Sequence, residues 1–67
     1  MISASTIGKR LQKLRGNTPR DKVATDLGIS ISAISMYESG HRIPRDEIKI
    51  KLADYYGVTV ESIFFIE

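Results

Sequence analysis

The side chains able to do chemistry in this 67-residue sequence are few, and their types exclude most reactions. There is no cysteine, so disulfides and thiolate metal sites are out of reach. His41 is the single histidine and cannot build a metal site alone. No histidine–carboxylate or nucleophile–base constellation stands out, and a chain this short has little room for a substrate pocket. An enzyme is therefore not expected, and neither is a cofactor. What remains is charge. The formal net charge is only +2, but its distribution is uneven. Up to Arg20 the chain carries Lys9, Arg10, Lys13, Arg15 and Arg20 and no acid; from Leu52 onward it carries Asp54, Glu61 and Glu67 and no base. A cationic end suits a polyanion, although an ordinary solvated surface has the same look.

The elements that must position these groups are legible from breaks and periodicity. Gly16-Asn17-Thr18-Pro19, Gly28, Gly40 with Pro44, and Gly57 divide the chain into five short pieces. Ile7, Leu11 and Leu14 recur at helical spacing over about 5–15. Thr18-Pro19 reads as a cap and first turn for a second helix over about 19–27, with Val23, Ala24 and Leu27 as its apolar stripe. Ser30 is a plausible cap for a third over 30–38, where Ile34 and Tyr37 share a face. A fourth, over 45–56, has acids in its first turn and buries Ile48, Leu52, Ala53, Tyr55 and Tyr56. A fifth, over 60–66, is capped by Thr59 and packs Val60, Ile63 and Phe64. Strand-like alternation is confined to Gly57–Val60. The expected fold is all-α: one compact domain, residues 1–67, of five short helices. No apolar run is long enough to span a membrane and no secretory signal is evident, so a cytoplasmic protein without a separate effector domain is expected.

Within this frame Ala24, Gly28 and Ile34 form a unit. Two helices joined by a tight turn must approach closely, which a small side chain at Ala24 permits. Gly28 allows the positive φ such a turn needs. The stretch Val23-Ala24-Thr25-Asp26-Leu27-Gly28-Ile29-Ser30, followed by Ile34-Ser35-Met36-Tyr37-Glu38-Ser39-Gly40, resembles the Cro and lambda-repressor-like, or XRE-like, helix-turn-helix family. Ile7-Gly8-Lys9-Arg10-Leu11 to Leu14-Arg15 resembles the first helix of that family, and Leu52-Ala53 to Tyr56-Gly57-Val58-Thr59-Val60 its fourth and fifth. The resemblance covers about Thr6 to Phe64.

The resemblance implies a transcriptional regulator, a repressor of bacterial or phage type, that binds double-stranded DNA. The helix from Ser30 to Glu38 is then the recognition helix, lying in the major groove. It implies base contacts from Ser30, Ile31, Ser32, Ser35 and Met36, with serine hydroxyls at base edges and Ile31 against a thymine methyl. It implies phosphate contacts from Arg20, aided by Asn17 or Thr18, and from His41, Arg42 and Arg45 in the following loop. For His41 an exposed loop residue is the plainer reading, and Lys9 and Lys13 read as solvated. Arg15 and Glu38 match an arginine and a glutamate of the family that form a partly buried ion pair, so they are expected to be structural. The recognition helix departs from the family in lacking the usual glutamine, asparagine or arginine, which puts strong base specificity in doubt.

The last residues are very apolar. Phe65 and Ile66 have no obvious internal place, and Ile50 projects away from the Ile48–Leu52 face. Either the terminus folds back over them or they form an interface. The interface reading makes the protein a homodimer through Ile50, Val60, Phe64, Phe65 and Ile66, on a palindromic site. The alternative function is a protein-interaction module on the same fold, an antitoxin-like or anti-repressor partner, which apolar Ile31 and Met36 favour slightly.

Overall fold

The computed structural model describes residues 2–67, and among them the chain forms five α-helices and no strand. These are α1 (Ala4–Arg15), α2 (Arg20–Leu27), α3 (Ile31–Ser39), α4 (Asp46–Tyr56) and α5 (Val60–Phe64). Each start has a local cause. Ser3, Ser30 and Thr59 take extended backbone angles, and their hydroxyls accept from the N–H of Thr6, Ala33 and Ser62 at 3.0–3.1 Å. Each thereby satisfies an amide that the helix leaves unpaired. Asp46 and Glu47 favour the positive end of α4, whose capping residue, Arg45, makes no side-chain cap bond.

Two local expectations are corrected. Thr18 does not cap α2. Pro19 occupies the capping position, with φ −61° and no side-chain bond, and Thr18 instead donates its N–H to Arg15 O at 3.0 Å. Proline's fixed φ supplies the entry angle that a capping hydroxyl would otherwise hold. The fifth helix ends at Phe64, two residues before the expected Ile66. Its terminal carbonyls are taken from outside, because Arg10 Nη1 on α1 donates to Ser62 O at 2.9 Å and to Ile63 O at 3.2 Å.

The core is Ile7, Leu11, Val23, Ala24, Leu27, Ile34, Tyr37, Leu52, Ala53, Ile63 and Phe64, drawn from all five helices. Leu14, Ile29, Ile48, Tyr55, Tyr56 and Val60 lie half-buried at its edge. The largest helix–helix contact is α1 against α3. It depends on Gly8, a position whose role is not evident from periodicity. A methyl group built there would overlap the carbonyl oxygen of Glu38 and lie 2.9 Å from that of Tyr37. The backbones of α1 and α3 meet because Gly8 has no side chain, and Gln12, one turn further on, donates Nε2–H to Glu38 O at 2.8 Å.

Candidate nucleic-acid interface

The turn between α2 and α3 sets the geometry of the outer surface. Gly28 has φ 71° and ψ 31°, and its N–H and that of Ile29 close onto Thr25 O and Ala24 O at 3.2 and 3.0 Å. Nothing lies within 4 Å of where a Cβ on Gly28 would be, so the demand there is conformational rather than spatial. Ala24, one turn before Gly28, is buried.

A helix advances about 100° per residue, so α3 divides into two faces. Ile34, Tyr37 and Glu38 are buried. The opposite arc runs Ile31, Ser35, Ser39, Ser32, Met36: three serines flanked by two apolar side chains, 51% exposed at Ile31 and 41% at Met36. The structure therefore brings Ile31, Ser32, Ser35 and Met36 together on one surface, with Ser35 half-buried. Ser30 sits at its N-terminal end, where its hydroxyl oxygen caps the helix and keeps its O–H to donate.

Behind that face lies a charge cluster more extensive than the pair expected. Glu38 is the one buried charged side chain among the described residues. Arg15 grips it with Nε to Oε2 at 2.7 Å and Nη2 to Oε1 at 3.0 Å, and also donates Nη1 to Thr18 O at 2.9 Å. Arg20, expected to meet only phosphate, donates Nε to Glu38 Oε1 at 3.0 Å. Two guanidinium groups thus share one carboxylate, leaving the cluster one positive charge in excess. Arg15 is largely covered, whereas the Arg20 side chain is 45% exposed at the start of α2. The hydrogen-bonded carboxylate raises Arg15 above its ordinary range. Burial, reinforced by the Glu38 charge, pushes the Tyr56 phenol up to about 12.

The remaining cationic candidates follow α3. His41 and Arg42 each donate a backbone N–H to Met36 O, at 3.0 and 3.3 Å, which folds the loop against the end of the helix. His41 Nδ1 lies 2.7 Å from Ser39 Oγ, and His41, Arg42 and Arg45 are exposed. Arg42 and Arg45 border a pocket with Tyr37, Ile43, Glu47 and Ile48. Asn17 is exposed and Thr18 half-buried in the α1–α2 connection. Not every cation of the first 20 residues belongs to a surface patch, since Arg10 and Arg15 are spent on internal bonds.

The apolar residues near the end of the chain separate. Ile50, Phe65 and Ile66 are 54–59% exposed, and Val60 is half-buried. Phe64, expected at the interface, is corrected to the core at 2% exposure, because the end of α5 buries it beside Ile63. Lys49 Nζ lies over both rings, 5.6 Å from the Phe64 centroid and 5.1 Å from that of Phe65. A further link joins α2 to α4: Tyr55 Oη donates to Asp26 Oδ2 at 2.7 Å, and Lys22 Nζ reaches the same oxygen at 2.9 Å. The Lys22–Asp26 spacing of four is a readable signal, whereas nothing local points to Tyr55.

No helix among the described residues is long and apolar enough to cross a membrane. A family model described as helix-turn-helix matches residues 9–63, most of the chain. None of the curated proteins compared with the chain matches it.

Proposed function

The chain belongs to the lambda-repressor-like, or XRE-like, helix-turn-helix family of DNA-binding regulators, and from that premise we propose that it is a sequence-specific repressor of bacterial or phage type. In this reading it works in the cytoplasm and binds a palindromic operator as a homodimer, with one α3 in each of two successive major grooves. The observation that carries the reading is the outer face of α3. It is left uncovered by its own chain, while Arg20 is tied to its back and Arg42 and Arg45 lie in the loop beyond its end. Ser30, Ile31, Ser32, Ser35 and Met36 meet the bases. Asn17, Thr18, Arg20, His41, Arg42 and Arg45 meet the phosphates. Arg15 and Glu38 hold α3 against α1. Ile50, Phe65 and Ile66, with Val60 at their edge, form the two-fold contact. A dimer of this kind sets its recognition helices about 34–36 Å apart, one turn of DNA.

The test is selection from a randomised duplex pool, followed by affinity measurements across salt concentration. A near-palindromic site and a steep salt slope are expected, and Arg20→Ala should lower that slope by about one. Weak, unselective binding would instead favour a protein partner on the same face, the reading that exposed Ile31 and Met36 also support.

A further inference from the structure

We propose that α3 reads DNA through the C5-methyl groups of thymine, with Ile31 and Met36 as the specificity-determining side chains. The proposal rests on the DNA-binding reading above and names the base feature it recognises.

The composition of the exposed face leads there. α3 contains no arginine, lysine, asparagine or glutamine. Those side chains make the two-point contacts that single out guanine and adenine in the major groove. Its polar surface is serine, whose one hydroxyl donates or accepts and so tolerates many base edges. Ser39 Oγ is already engaged by Met36 O and His41 Nδ1, and Ser30, which caps the helix by accepting from Ala33 N, has only its O–H left to offer. Ser32 and Ser35 remain on the face, between two large apolar side chains. The thymine methyl is the apolar group that an unmodified base pair presents in the major groove. It is the feature that Ile31 and Met36 complement, and the arginines at the back and end of α3 favour a nucleic acid over an apolar protein surface as the occupant. The two side chains are five residues apart, a rise of about 7.5 Å along the helix. They also lie about 140° apart around the helix, at opposite edges of the exposed face, so each half-site should hold two separate thymine methyls, one for each side chain.

The first part of the test changes only the DNA. A site selected from a random pool is resynthesised with deoxyuridine replacing each thymidine in turn, which removes the methyl and leaves base pairing intact. Affinity should fall about fourfold at each of two positions per half-site, the value of one buried methyl. Restoring an apolar group of similar size with 5-bromouracil should restore binding. Ile31→Ala should bind the thymine and uracil forms equally at one of these positions, and Met36→Ala at the other. Both residues are exposed, so melting temperatures should stay unchanged. A selected site at which every uracil replacement is silent overturns methyl reading and leaves the DNA-binding function standing. Failure to select any site overturns that function itself.

Discussion

Replacing Glu38 with alanine tests whether the buried carboxylate organises the domain. The side chain is 2% exposed and accepts three hydrogen bonds from Arg15 and Arg20 at 2.7–3.0 Å. Removing one member of a buried ion pair costs about 3–5 kcal/mol, because the partner is left charged and unpaired. Here the lower end applies. The Arg15 side chain is 16% exposed and that of Arg20 45%, so both regain some water once the carboxylate is gone. Unfolding entropy for 67 residues is about 0.14 kcal/mol/K, so a loss of about 3 kcal/mol lowers Tm by about 20 °C. That is a large share of the roughly 3–10 kcal/mol expected for a domain this size. Thermal denaturation followed by circular dichroism measures it, with and without 1 M salt, since a covered pair is screened little. The double variant Arg15→Met/Glu38→Leu should recover most of the loss by removing the two covered charges together, since the remaining Arg20 is 45% exposed and regains water. A fall of less than about 7 °C in Glu38→Ala, equivalent to about 1 kcal/mol, would refute the assignment of a buried, stabilising cluster.

Gly8→Ala should cost about 1–3 kcal/mol, towards the upper end because the atoms in the way are the backbone of α3; an unchanged denaturant midpoint would show that the α1–α3 approach is not limiting. Tyr56 ionises near pH 10 when unfolded and near 12 when folded, so the folded state keeps its proton longer and stability should decline as pH rises from about 10 to 12. Tyr56→Phe should flatten that part of the alkaline stability profile, and an identical profile would reject the assignment. Ile50→Asp combined with Phe65→Ser should convert a dimer to a monomer in sedimentation without loss of helix content; an unaltered dimer would place the interface elsewhere.

The five helices were legible because their causes are local. Ser30 and Thr59 cap within three residues, Gly28 supplies a backbone angle only glycine adopts readily, and Leu11 and Leu52 fall on apolar stripes. The helix ends were less secure. Thr18 looked like a cap, yet proline set the entry to α2, and α5 stopped early under a remote arginine. Phe64 and Phe65 are adjacent and identical in type, so only the direction of α5 decides that one is core and the other surface.

Sequence alone therefore determined the helical frame, the tight turn at Gly28 and the serine-rich, bidentate-poor character of the surface that α3 presents. Tertiary structure decided which charges meet. Arg15 and Arg20 are 23 and 18 residues from Glu38, Tyr55 is 29 from Asp26, and Arg10 is 52 from Ser62. Hydrophobic periodicity carries no information about such pairings, because a hydrogen bond requires atoms within about 3 Å and only the packed arrangement of helices sets that distance. It is this arrangement that adds Arg20 to the cluster at the back of α3 and brings the backbone of α3 against Gly8 of α1.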